Sequence, residues 1–324
     1  MTDLVKGIVG GGWNLVVGWI LPTFLALQVV AWLLVPAWTT EAARSYVESP
    51  LATRQALLLA VSAVVGLVLA AVKTPLYRLL EGYLLWPRWL VDRSTTRQRR
   101  RRDSHARSSD RALAAGSSLR YALLYERVQR YPADDAQFAP TALGNSIRRF
   151  EHYASDRYNL DSQLLWHHLA TSAPDRLVKV QENASTNVDF FVCLVYGSGL
   201  TATCALATLV GPGRPGVLWW AVVLGLAGAR IAYRLAIIAT DEWDRAVRAM
   251  VDHGRLGAAK VFGLAVPKRL AEERDMWRAV NTLVRRPYAY STSRDVPGKL
   301  DAFRVQHDPN SLTVVLETRP APNP

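Results

Sequence analysis

Residues 13–38 read WNLVVGWILPTFLALQVVAWLLVPAW, an apolar stretch that carries no charge. About 20 such residues cross the hydrocarbon core of a bilayer, so this stretch is long enough to span it with some tilt. It is too long for the apolar region of a signal peptide. The only positive residue before it is Lys6, offset by Asp3, and no small-residue cleavage site follows. A retained helix is therefore expected, kinked at Pro22. Three more apolar blocks follow, at residues 55–72, 188–210 and 217–240. Only Gly211-Pro212-Gly213-Arg214-Pro215-Gly216 separates the last two, which predicts a tight helical hairpin.

The rest of the composition agrees. The chain has 324 residues, 50% of them hydrophobic, and a formal net charge of +12. Its apolar residues sit in the four blocks and its charge lies between and after them, which excludes a single water-soluble domain around one core. Two cysteines exclude a disulfide-stapled scaffold, and eleven Trp with twelve Tyr exclude general disorder. Cys193 and Cys204 lie about 16 Å apart along one helix, so they read as small apolar residues rather than a pair. The expected fold class is an all-α membrane protein with four transmembrane helices, a helical cytoplasmic insertion and a helical C-terminal extension. Residues 1–12 form a cytoplasmic N-terminus, 13–91 the first two spans with a juxtamembrane helix, and 92–186 the basic insertion. Spans three and four take 187–240, C-terminal helices 241–286, and a tail 287–324.

Lys and Arg set the orientation. Few lie after spans one and three, whereas Arg93, Arg97, Arg99, Arg100, Arg101, Arg102, Arg107 and Arg111 crowd the segment after span two. Both termini and the large insertion are expected in the cytoplasm of a bacterial inner membrane. Trp13, Trp38, Trp86, Trp89, Trp219 and Trp220 stand where interfacial belts belong.

Within the spans, small residues recur every four positions: Ser62, Gly66 and Ala70; Gly197, Thr201 and Ala205; Gly225 and Ala229. Such stripes read as helix-packing seams, or with Ser198, Thr201 and Thr203 as the wall of a watery path. Arg230 and Arg234, one turn apart on span four, either snorkel to the surface, pair with Asp189, or line a pore. The pore-lining candidates are thus Ser198, Thr201, Thr203, Arg230 and Arg234. Span two continues past its end as KTPLYRLLEGYL (73–84), helical after a Pro kink, and Pro174 opens a similar lead-in to span three. Both inner spans are expected to run on into the cytoplasmic segment.

Residues 92–110 are arginine-rich without an apolar period and read as a solvated linker, a lipid head-group anchor or a nucleic-acid contact. Helices are expected over 110–130, 141–155 and 160–170, then from residue 241 to a break near Gly254, and over 268–284. A short strand is expected at 311–317 and disorder at 320–324. The densest chemistry lies at 140–166, PTALGNSIRRFEHYASDRYNLDSQLLW. Guanidinium groups fork onto phosphate and neighbouring aromatic rings stack on bases. Alternatively Arg157 pairs with Glu151 or Asp161 in an internal network. The ligand-binding candidates are Arg120, Asn145, Arg148, Arg149, Tyr153, Arg157 and Tyr158.

This stretch resembles a motif of poorly characterised bacterial membrane proteins: P-T-x-L-G-N, then R, E-x-Y, R-Y-x-L-D and a Trp. TPLYRLLEGYLLW, at 74–86, resembles the same group, and the matched stretches cover about a fifth of the chain. The layout of four spans, basic helical insertion and tail also resembles the membrane effectors of nucleotide-signalled anti-phage systems, most of all the Hailong type. That resemblance implies a homo-oligomeric ion channel in the lipid bilayer. It would be opened by a single-stranded oligonucleotide that a partner nucleotidyltransferase makes.

Catalytic and metal signatures are not found: His167 and His168 face different ways on a helix, and no Cys or carboxylate cluster has ligand spacing. Gly10-Gly11-Gly12 precedes a span rather than a βαβ helix, so it is no nucleotide fingerprint. No catalytic residue, metal or cofactor is expected. The function expected is an oligomeric channel gated by an anionic cytoplasmic ligand, a nucleotide or single-stranded oligonucleotide, in an anti-phage effector. The alternative is a non-conducting membrane scaffold that binds nucleic acid or a protein.

Overall fold

The computed structural model describes residues 12–209, 216, 218–285 and 300–304. It is about 83% helical, without strands among the described residues. Four helices are long and apolar enough to cross a membrane: Gly12–Ala37, Leu51–Ala71, Asp175–Leu209 and Leu218–Val261.

The first span contains a π-helical turn, Val16–Ile20, followed by α1, Leu21–Leu33. The π-helical turn ends two residues before Pro22, where a kink is expected. The wide turn places Pro22 in the first turn of α1, where its missing N–H costs little. Thr23 Oγ1 donates to the Trp19 carbonyl at 2.7 Å, covering part of the disturbed ladder. A short helix, α2 (Glu41–Glu48), follows, capped by Thr40. α3 (Leu51–Ala71) is the second span and α4 (Lys73–Glu81) its continuation, separated by Val72 at φ −98°, ψ 20°.

The arginine-rich segment is not the linker expected. It is a 27-residue helix, α5 (Arg88–Ala114). Arg, Gln and Ala are strong helix formers, and the stretch lacks Gly and Pro. Its buried positions include the polar Gln98 and Ser109, so no apolar period marked it. The helix expected over 110–130 is instead split at Gly116, whose φ of +68° turns the chain into α6 (Ser118–Gln129). The α5–α6 hairpin is held to the rest by few links. Arg102 pairs with Asp135 at 2.8 Å, and Arg130 with Asp241 at 2.7 Å.

Next come α7 (Ala142–Glu151), α8 (Tyr153–Tyr158) and α9 (Trp166–Ser172). The 141–155 helix is interrupted at His152. The expected 160–170 helix starts only at Trp166, because Asn159 is left-handed (φ 55°) and Asp161 Oδ1 accepts from the Gln163 and Leu164 amides in a turn. α10 (Asp175–Leu209) carries span three and its lead-in, as one helix of 35 residues. α11 (Leu218–Val261) is one helix of 44 residues. Gly254 does not break it. A Cβ there would lie 2.5 Å from the Leu169 carbonyl oxygen, so this glycine is needed for close contact with α9. α12 (Leu270–Arg285) lies close to the expected 268–284, and residues 300–304 then return to the core, where Arg304 bridges Leu264. The expected strand at 311–317, the tail at 320–324 and most of the turn 211–216 lie outside the described residues.

Two packed regions result. In the spans the small residues form seams: a Cβ on Gly66 would come 2.9 Å from Ile20 Cα, and one on Gly225 within 2.9 Å of Ala202 and the Ser198 carbonyl. The main core lies in the polar layer, where Leu143, Phe150 and Leu165 pack with Val251, Met276 and Trp277. The insertion therefore shares its core with α11 and α12 rather than owning one.

Candidate functional site

The Pro140–Asn145 motif builds a docking clamp. Thr141 Oγ1 accepts from the Gly144 amide at 3.0 Å and caps α7. Asn145 is fully buried and its amide is spent on the backbone. Oδ1 accepts from the Ala139 N–H at 2.9 Å, and Nδ2 donates to the carbonyls of Ala139 and Thr141 at 2.9 and 2.7 Å. Asn145 thus shapes the loop and offers a ligand nothing. The clamp holds the end of α4. Gly82 takes φ +89°, and a Cβ on it would fall 2.3 Å from Pro140 Cγ. Tyr233 Oη, from α11, accepts from the Leu143 amide at 3.2 Å. One short segment therefore touches the extension of span two and the later half of span four.

α4 is fastened to α10 as well. Lys73 Nζ donates to Asp189 Oδ2 and Tyr77 Oη to Oδ1, both at 2.7 Å. Tyr196 Oη donates to the Leu76 carbonyl at 2.7 Å. Burial first, then the adjacent Asp189 carboxylate, pushes the Tyr77 hydroxyl well above its ordinary pKa. Asp189 thus pairs with Lys73 rather than with Arg230 or Arg234, as one reading of the sequence had it.

Beside the clamp opens a cleft of about 830 Å³. Four guanidinium groups reach it: Arg78 from α4, Arg148 from α7, and Arg278 and Arg285 from α12. Three carboxylates, Glu81, Glu151 and Asp161, share it with His152. Arg148 Nε donates to Tyr83 Oη at 2.7 Å, its guanidinium 5.2 Å from that ring's centre, and its Nη1 lies 3.1 Å from His152 Nε2. Arg285 pairs with Asp161. Hydrogen bonds from Leu164, Arg285 and Gln163 outweigh burial at Asp161 and hold its pKa below 3.8. Burial, then the neighbouring Glu151, pushes Glu81 up to about 7 against Arg148 and Arg78. Burial also raises Glu151. Glu81 therefore carries less than a full negative charge near neutral pH, and the four arginines outnumber the three carboxyls of the cleft.

A second chamber of about 360 Å³ shares Glu151, Ser162 and Gln163 with the cleft and is walled by Phe150, Trp166, His167, Trp243 and Val247. Trp243 Nε1 is buried and has no hydrogen-bond partner among the described residues. Cationic cleft and aromatic chamber together suit a ligand with both phosphate and a flat ring.

The other sequence candidates lie elsewhere. Arg149 faces away from the cleft: its guanidinium pairs with Asp241 at 3.4 Å and Asp244 at 3.1 Å, and burial lowers its pKa. Tyr153 and Tyr158 donate to the Asp252 carboxylate, Tyr158 at 2.7 Å. Arg157 lies over those two rings, at 5.9 and 5.6 Å, and pairs with neither Glu151 nor Asp161. Arg120 is exposed on α6, away from the cleft. In the spans, Thr201 is buried and donates to the Gly197 carbonyl at 2.9 Å, while Ser198 abuts Gly228. Thr203 is exposed and donates to the Gly199 carbonyl. Arg230 and Arg234 are exposed.

Sequence reading missed Arg78, Arg278 and Arg285. The signal available was spacing: Arg278, Asn281 and Arg285 fall at i, i+3 and i+7 on one helix face. Their meeting with α4 is a tertiary fact. Comparison with known proteins yields nothing: no family model matches, and no curated protein or solved structure matches.

Proposed function

We propose that this chain is the subunit of a homo-oligomeric ion channel of the bacterial inner membrane, gated by an anionic cytoplasmic ligand. The observation that carries this reading is the cleft's wall. Arg78 stands on α4, a helix that runs directly into span two, opposite arginines of α7 and α12. A phosphate bridging Arg78 to Arg148, Arg278 and Arg285 pulls on the span itself. A ligand moves such an equilibrium only by its preference for one state, about 5.5 kcal/mol for a near-complete switch. Several charge-assisted bonds have that capacity.

The ligand class is a nucleotide or the end of a single-stranded oligonucleotide, its base in the Trp166/Trp243 chamber. A partner nucleotidyltransferase supplying it, and an anti-phage role, follow only from the resemblance of the layout. The test is ion flux from liposomes holding the purified chain, with and without short single-stranded oligonucleotides. Flux only with oligonucleotide, lost in Arg148→Gln with assembly intact, supports the channel. Binding without flux favours a second reading, a non-conducting scaffold. One feature speaks for that reading: Leu113, Leu119 and Leu123 are 59%, 74% and 54% exposed on the α5–α6 hairpin, a surface suited to a protein partner.

A further inference from the structure

Span four has two faces. Ala221, Gly225, Ala232 and Ala236 are buried, with Gly225 packed against α10. On the opposite face Val223, Ala227, Arg230 and Arg234 are all exposed, aligned at steps of three and four residues. Arg230 and Arg234 stand about 18 and 24 Å along the helix from Leu218, inside a hydrocarbon core of roughly 30 Å. Among the described residues neither side chain makes a hydrogen bond or an ion pair.

The acids that might neutralise them are taken. Within residues 12–37, 51–71, 188–209 and 218–240 the only carboxylate is Asp189, which binds Lys73 and Tyr77. Asp241, just beyond the span, binds Arg130 and Arg149. The described spans thus carry two unneutralised positive charges on one outward face. Each costs about 2.5–3.5 kcal/mol if it faces lipid at the bilayer centre. The cost falls away if the face looks onto water.

We propose that the Val223–Ala227–Arg230–Arg234 face of α11 lines a water-filled path between copies of this chain, and that the path selects anions. This rests on the oligomeric channel reading above and names the ion class it passes. The occupant of the face is a second copy of the chain, whose own Arg230 and Arg234 complete a ring of fixed positive charge. Rings of Arg or Lys give pores anion preference. Ser198 and Thr201, in the α10–α11 seam, pack the helices and take no part in conduction.

The test is charge-selective thiol labelling of the full chain in phosphatidylcholine liposomes, which requires neither an open gate nor a known ligand. Cys193 and Cys204 are first replaced by Ala. Ala227→Cys then retains both arginines and reports the field between them. A small anionic thiosulfonate is expected to modify it at least about 10-fold faster than a cationic one, after correction for their rates with a free thiol. Arg230→Gln with Arg234→Gln should erase that bias. Val64→Cys, exposed on α3 and away from this face, should resist both reagents. An unreactive Ala227→Cys overturns the proposal, because the face is then covered by lipid or dry protein. So does a reactive Ala227→Cys without charge preference. Oligonucleotide binding to the cleft, measured on the same protein, fails or succeeds separately, so the loss of one reading is distinguishable from the loss of the other.

Discussion

The Lys73–Asp189–Tyr77 knot makes an asymmetric prediction. The Asp189 side chain is 8% exposed, and that of Lys73 is 40% exposed. Lys73→Met therefore strands a buried carboxylate with Tyr77 as its one remaining partner. Breaking a buried pair this way costs about 3–5 kcal/mol, and the open side of Lys73 argues for the low end, about 3. Asp189→Asn is gentler. The amide oxygen still accepts from Tyr77, and Lys73 turns to water, for a loss of about 1 kcal/mol. The double variant should lose about 1 kcal/mol as well, far less than the sum, since no stranded charge remains. Thermal unfolding in detergent reads the order: Lys73→Met lowest, Asp189→Asn and the double variant close together. About 2–4 °C per kcal/mol, the scale for chains somewhat shorter than this one, makes the gap measurable. Equal single variants, or a double variant equal to the sum, would refute the assignment of Asp189 as the buried, dependent partner.

Other consequences follow from the clamp and the cleft. Asn145→Ala removes three hydrogen bonds and leaves the Ala139 amide unmet in the core, so about 3 kcal/mol of stability should go, read by the same unfolding assay. Glu81 has a folded pKa near 7, above its ordinary 4.5. The stability linked to its protonated form is complete below about pH 4.5 and is lost as pH rises through 7, at most about 3 kcal/mol. Glu81→Gln should flatten that slope between pH 5 and 8, and an unchanged slope would assign it to other groups. Arg149→Glu should prevent folding, because it sets a third carboxylate beside Asp241 and Asp244, whereas Arg148→Gln, which adds no charge beside Glu81 and Glu151, should fold and weaken anion binding, read by gel filtration and oligonucleotide titration.

Much of the architecture was legible because lipid imposes a plain rule: an uncharged run such as 13–38 has few other fates. The continuation of span two and the lead-in to span three were legible for a related reason, since Pro75 sits in the first turn of its helix and Pro174 just before the first residue of its own, both places where a proline is tolerated. The cytoplasmic helices were harder. At 92–110 the buried side chains include Gln98 and Ser109, so a pattern built on apolar residues had nothing to find. Gly254 misled because glycine serves both to end a helix and to admit a neighbour, and only the position of Leu169 tells them apart. The site was half legible. PTALGN was distinctive, but its distinctness belongs to the clamp, where Thr141 and Asn145 bind backbone. Arg148 and Arg149 are adjacent in sequence, yet helical geometry turns one to the cleft and the other to Asp244.

The break at Val72 distributes mechanical freedom unevenly. α10 and α11 pass from the apolar spans into the polar layer unbroken, and α11 alone is about 66 Å long. A stiff rod of that kind has no local joint. If it moves it tilts whole, and a tilt of about 10° about Thr240 sweeps its Leu218 end by about 6 Å. Span two is built otherwise, with α3 and α4 meeting at a single non-helical residue that can take up a change in φ and ψ. In the gated channel proposed above, the pair α10–α11 would be the stator, α3 the moving vane, and Val72 its hinge. Stiffening that one residue bears on motion without touching any residue of the cleft.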